Sequence, residues 1–573
     1  MKHVFCVSFG CLLGLLLLLG PVSRAQAPAW SMAISTSQPS ATISVVNATA
    51  ADAQGNIFIA GSLDGTASFG NITLNSMGDA FVAKWSPTTG FLWVQQGMGG
   101  SYATSLVVSG SNVYVGGFIV GPIVRFGGVI LTKFGGSSGG CDAFVAKLTD
   151  AGSTGSFVWA QRVGALGYDT VDALAVHGNE VFAAGRYAGT VSFGATTLVS
   201  SKDSEVFVAK LSDAGASGSF VWAQRTGAEE ANALAVNGSN VYLVGTFQLT
   251  ADFGAIKLTS AGGIDVFVAK FTDAGSTSSF SWAKQAGGPG QDMAGGLATS
   301  GINVYLAGSF GYVPAAPFVS PITPASFDNI TLVNIGFDNS DVFLAKLIDA
   351  GSSAAFAWAE QAGGSGYDKA NALAVVGNSV YMTGSIATVG TAAFGTTALA
   401  GAGSSDIFVA KLQEVGASRS FAWALRAGGN APDAPHGITV SGDRVYVAGL
   451  LSSVSADFGN FTLLGNSKQF HAFLASVTDA SLLLAVSSSA HAVAQFTLFP
   501  NPAHTAAIVQ LPAISGAPTA TLTLLDALGR TLRTQTAFPN ARAELDLTGL
   551  APGLYAVRVA AGAATATQRL VVE

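Results

Sequence analysis

Seven of the eight tryptophans return at near-even spacing: Trp30, Trp93, Trp159, Trp222, Trp282, Trp358 and Trp423. A period of 60–76 residues, sustained over most of a 573-residue chain, requires a unit repeated radially or as a solenoid. The same landmarks recur between the tryptophans. A Gly-rich loop leads to a run such as Ala173-Leu174-Ala175-Val176. A tight turn, His177-Gly178-Asn179, leads to Val181-Phe182-Ala183-Ala184-Gly185. Phe-Gly and a Leu follow, as in Phe193-Gly194 and Leu198. Next comes a strand-like run such as Asp142-Ala143-Phe144-Val145-Ala146-Lys147. Its counterparts begin at Asp79, Glu205, Asp265, Asp341, Asp406 and His471.

Short β-branched and aromatic runs bounded by Gly, Asn, Asp and Ser read as strands. Four antiparallel strands per repeat make a propeller blade. Runs apolar at both alternating positions, such as Phe207-Val208-Ala209, suit strands buried on both faces. The Trp30 strand precedes the first full set, and the last set, ending at Ser476, lacks its Trp strand. Pairing the two closes the ring and removes both edges. The expected fold is therefore all-β: a seven-bladed β-propeller over residues 26–486, a linker at 487–495 and a small module at 496–573. An outer-membrane barrel is the competing reading. It is set aside because the strands look about five residues long, whereas spanning strands need ~9–11.

The repeat resembles the SBBP-type β-propeller repeats of secreted bacterial proteins. The likeness rests on the Asp-x-Phe-Val-Ala-Lys run, the following Trp, the Gly-Gly loop and the Val-Tyr-x-x-Gly strand, over about residues 30–480. It implies the fold and no particular activity.

Both ends carry addresses. Lys2 and His3 precede an apolar stretch from Val4 to Gly20, and Ser23-Arg24-Ala25 offers a cleavage site after Ala25. That is the pattern of a secretory signal peptide over residues 1–25. No transmembrane segment is expected once it is removed. The C-terminal stretch alternates like a small Ig-like β-sandwich. Its landmarks are Phe499-Pro500-Asn501-Pro502-Ala503, the Asp526-x-x-Gly529-Arg530 turn, Leu550-x-Pro552-Gly553-Leu554-Tyr555, and Arg569 ahead of the last strand. In this order they resemble the C-terminal sorting domain of the type IX (Por) secretion system. The resemblance implies the type IX machinery as a partner. It also implies a location outside the cell or on the outer-membrane surface of a Gram-negative bacterium.

Composition narrows the rest. Lys and Arg number 26 against 33 Asp and Glu, a formal charge of −7, with no concentrated basic patch for nucleic acid. Of the three cysteines, Cys6 and Cys11 fall in the signal. Cys141 alone remains, so the mature protein has no internal disulfide.

Comparison between repeats separates scaffold from site, because a residue present in every blade is structural. Asp169, Glu229, Asp292, Asp368 and Asp433 recur four residues before the first strand; Ser101 stands there in repeat 2. They would form an incomplete ring of carboxylates on one face, able to bind a hard cation, structural or ligand-bridging, or to serve acid–base chemistry. Local hydrogen bonding in a Gly-rich loop is the plainer alternative. His436 and His471 in repeat 7 are weak metal candidates. Repeat 5 has a long loop, Gly311 to Pro321, whose Tyr312 and Phe318 are candidate ligand contacts. No dedicated cofactor is expected. Two functions follow: a non-catalytic surface module binding a polymer or protein partner, or a propeller polysaccharide hydrolase or lyase using the loop carboxylates.

Overall fold

The computed structural model describes residues 28–36, 43–137, 139–312, 324–336, 339–387, 390–465, 470–483, 496–511, 519–526, 530–538, 540–561 and 564–573. The expected signal peptide with Ala25, the linker 487–495, Phe318 and Gly529 lie outside the described residues. The chain divides into two compact units at Thr478 and Asp479.

The first unit is propeller-like. Among the described residues it holds seven antiparallel sheets, each with four main strands, two of them extended by a further hairpin. Sheet 3 shows the pattern: Thr170–His177, Glu180–Tyr187, Glu205–Asp213 and Gly218–Thr226. The first strands of the other six begin at Ile43, Ser101, Glu230, Gln291, Lys369 and Asp433. Third strands such as Asp142–Asp150 are buried at seven consecutive positions, because a neighbouring sheet covers each face. In sheet 7 the fourth place is taken by Trp30–Ser35, which pairs antiparallel with His471–Thr478. Trp30 Nε1 donates to the Arg426 carbonyl at 3.0 Å.

Five of the repeated tryptophans, Trp93, Trp159, Trp222, Trp282 and Trp358, stitch their sheet to a carboxylate of the next. Trp159 Nε1, Lys147 Nζ and Tyr114 Oη, all of sheet 2, converge on Asp213 of sheet 3 at 3.0, 2.6 and 2.6 Å. Trp282, Lys270 and Tyr242 meet Asp349 in the same way, and Trp358, Lys346 and Tyr305 meet Glu414. Burial raises the pKa of these carboxyls, yet the converging donors hold all three below the usual range.

Two details differ from the sequence reading. Most main strands have eight or nine residues rather than about five, and those of sheet 4 reach 14 and 18. Among the described residues the strands nevertheless form separate sheets and no continuous barrel. Hairpins also form at the Phe-Gly landmarks, such as Thr190–Phe193 with Thr196–Val199. Gly70, Gly127, Gly194, Gly254, Gly395 and Gly459 sit at φ near +60° in these turns, as does Asp328 at +52°. In sheet 4 the hairpin runs on from the second and third strands without a break. No helix among the described residues is long and apolar enough to cross a membrane.

The second unit packs two antiparallel sheets. One contains Thr497–Phe499, Ala506–Gln510 and Arg542–Asp546. The other contains Thr531–Ala537, Ala520–Leu525, Gly553–Ala561 and Ala564–Val572. Phe496, Val509, Leu522, Leu545, Val557 and Leu570 share one core between them.

Candidate functional site

The loop carboxylates turn inward. Asp169, Asp292, Asp368 and Asp433 are at most 1% exposed, so the expected open ring gives way to buried latches. Each ties its loop to the end of the second strand. Asp368 accepts from Gly364 N at 2.7 Å and Ala387 N at 2.9 Å. Asp292 accepts from Gly288 N and Gly311 N at 2.7 and 2.9 Å. Asp169 binds Ala165 N and Ala188 N, and Asp433 binds Gly429 N, Ser452 N and Ser453. Short Gly-rich loops expose backbone amides, and a carboxylate satisfies several at once. Glu229 alone is partly exposed, with Lys202 at 2.5 Å.

Behind each latch lies a second acid, the one that opens the third strand. Asp142 faces Asp169, Asp265 faces Asp292, Asp341 faces Asp368 and Asp406 faces Asp433. A Cβ on Gly363, at φ +135°, would lie 2.6 and 2.9 Å from Asp341 Oδ1 and Asp368 Oδ2, so only glycine fits there. Arg162 neutralises the first of these pairs at 2.7 Å and Arg426 the last at 3.1 Å. The middle two have Gln285 and Gln361 instead. In those two pairs Asp265 Oδ1 and Asp341 Oδ1 are buried without a hydrogen-bond partner. Burial pushes Asp341 up to about 7, against an amide bond from Ile335, and it also raises Asp265, Asp292 and Asp368. Asp169 is pushed up to about 6.

The histidines are apart. His471 is 5% exposed and packs at Gly465. His436 faces the axis, with Nδ1 2.9 Å from the Val46 carbonyl, and burial holds its pKa below the ordinary range. Among the described residues no three His, Cys, Asp or Glu side chains group as metal ligands. Tyr312 ends its strand opposite Gln291 and meets the Tyr367 ring edge-on at 5.3 Å. Cys141 is buried, and burial pushes its thiol up to about 11, so it carries no thiolate at neutral pH.

Comparing repeats strand by strand leads to a site that comparison of loops misses. The first strands of all seven sheets line an axial cavity of about 240 Å3. Six of them show a β-bulge at the same place, and the bulged residue faces the axis. The series, with Asn371 placed by its Ala-Asn-Ala context, reads Asn47, Thr104, Asp172, Asn232, Gly295, Asn371 and His436. Asn47 donates to the Ala103 carbonyl at 2.8 Å and Asn371 to that of Pro435 at 2.6 Å. Thr104 donates to Val171, and His436 to Val46. These bonds lace the first strands of sheets 6, 7, 1 and 2 each to the next.

The lacing changes at sheets 3 to 5. Asp172 instead accepts from Thr170 at 3.0 Å and pairs with Arg186 Nε at 3.4 Å. Asn232 Oδ1 is buried without a partner. Arg186 lies 4.0 Å from Glu230. A cavity of about 350 Å3 opens here, lined by Asn47, Thr104, Asp172, Arg186, Glu230 and Asn232. A larger cavity elsewhere in the same unit, about 570 Å3, is lined by Lys84 and Asp150, which belong to the stitch repeated in other sheets.

In the second unit Asn501 pins its Pro500–Pro502 turn to the last strand. Its amide donates to the Arg569 carbonyl at 2.7 Å and its Oδ1 accepts from Val571 N at 2.8 Å. Arg530 Nε pairs with Asp526 at 2.6 Å. Tyr555, two residues beyond Gly553, donates to the Ala551 carbonyl at 2.8 Å and so fastens the Pro552 corner. Residues 497–573 match the secretion system C-terminal sorting domain. The sorting domain supports export by the type IX route and a location outside the cell or at its surface.

No curated protein matches the chain. Solved structures offer distant likenesses. One is a putative 6-phosphogluconolactonase from Bacteroides uniformis, 10% identical, covering 72% of this chain and 97% of its own, with a TM-score of 0.32. Another is a mutant Trypanosoma rangeli sialidase displaying trans-sialidase activity, 8% identical, covering 95% and 89%, with a TM-score of 0.33. A protein from Lactobacillus plantarum is 12% identical over 71% and 95%, with a TM-score of 0.27. Likenesses this weak bear on no activity.

Proposed function

We propose that the chain is a surface-displayed binding protein of a Gram-negative bacterium. A signal peptide cut after Ala25 leads residues 26–486, a closed seven-bladed propeller of SBBP type. The Ig-like sorting domain at 496–573 hands the protein to the type IX machinery. The propeller then engages a polymer or protein partner without chemical change. The observation that carries this reading is the sorting domain behind a scaffold whose acidic loop residues are mostly turned inward. A hydrolase or lyase needs carboxylates that reach the substrate. Four of the five candidates are buried and saturated by backbone amides, which favours binding over cleavage.

The test incubates the mature full-length chain with a panel of bacterial and algal polysaccharides. Retention on one of them, or on a surface protein, without new reducing ends or unsaturated products supports the reading. Release of such products, lost when Glu229 is replaced by Gln, would move the chain to the enzyme class.

A further inference from the structure

We propose that the mouth of the axial cavity at sheets 3 and 4 binds one uncharged sugar unit through neighbouring hydroxyl groups. Asp172, Arg186, Glu230 and Asn232 form the polar wall. This rests on the binding reading above and gives it a place and a ligand class.

Broken symmetry is the first argument. At the bulge position only Asp172 is an acid. Arg186 stands opposite Thr170 in the second strand, and its counterparts are Ser62, Phe118, Thr246, Ser309, Ser385 and Leu450. A scaffold built from near-identical units gains nothing from charge at a single axial position unless that position is used. The second argument is an unmet hydrogen bond. Asn232 Oδ1 is buried without a donor, and a buried amide oxygen left so is costly. A ligand hydroxyl supplies that donor.

Size and charge then select the ligand. A cavity of about 350 Å3 is near the lower end of the ~300–1,000 Å3 typical of ligand pockets, which suits one ring rather than a polymer segment. Arg186 lies between the Asp172 and Glu230 carboxyls and offsets one of them, so the wall carries no more than one net charge. A strongly charged ligand would meet no matching excess. The wall offers acceptors in Asp172, Glu230 and Asn232 beside a donor in Arg186. A pair of neighbouring hydroxyls presents both in return, each giving a proton and accepting one.

The experiment probes the mature full-length chain with an array of neutral and acidic glycans. The tightest neutral glycan is then titrated against Glu230→Gln and Asn232→Ala. The expected result is binding of a neutral glycan that weakens about tenfold or more in either variant, with the melting temperature held. Glu230 is partly exposed, so its variant keeps the test open if the Asn232 variant unfolds. Neutral-glycan binding unchanged in the folded variants overturns this site and leaves the binding reading standing. Binding confined to acidic glycans, or no glycan binding, overturns the ligand class; a protein partner then remains for the wider reading.

Discussion

Single residues here divide sharply into repeated and unrepeated ones. Asp349 gathers Lys270, Trp282 and Tyr242 in a buried cluster, so Asp349→Ala leaves an ammonium and two polar donors without their acceptor. We expect a loss of about 3–5 kcal/mol in denaturant unfolding. Asp252→Ala, whose pair with Lys257 is exposed, should cost less than about 0.5 kcal/mol. The carboxyl pairs give a pH signature. The pKa of Asp341 is about 7 when folded and near 3.8 otherwise, so the native state holds a proton that the unfolded chain releases between those values. Its contribution is fully present below about pH 4 and is lost as pH rises towards 7. Gln361→Arg brings in the guanidinium that Arg162 and Arg426 give the outer pairs. The variant's unfolding midpoint should gain on the parent's as pH rises from 4.5 to 8. A constant difference across that range would remove the charge argument.

At the scale of strands and loops, much is legible in the amino-acid sequence alone. The tryptophan spacing marks the fourth strands, and in five of them the indole reaches the next sheet's carboxylate, which ties the two residues together. The unmatched Trp30 strand has its partner in His471–Thr478. Deleting residues 26–38 should expose the edge of that strand and turn a soluble protein into an aggregating one, read by light scattering. A soluble product melting at the parent temperature would contradict the closure. The hairpins show in the sequence only as Phe-Gly pairs, since four-residue strands leave little periodicity to read. The fate of the loop acids is not legible there. A recurring Asp in a Gly-rich loop looks the same whether it faces solvent or caps amides, and only the fold decides. The axial set is present in the sequence, but the bulge shifts the alternation by one residue and hides which side chain faces the axis.

For the whole molecule, a pseudo-symmetric scaffold is joined to one asymmetric mouth and an export tag. The tag is the most specific part, because its ordered motifs have structural reasons: Asn501 fastens the Pro500–Pro502 turn, Arg530 the turn at Asp526, and Tyr555 the corner at Pro552. The most direct measurement follows the full chain and a chain ending near Ala485 in a host with a working type IX system, by fractionation and surface protease digestion. The expected result is the full chain at the surface or in the medium and the shortened chain folded in the periplasm. A shortened chain that still reaches the surface would contradict the sorting role.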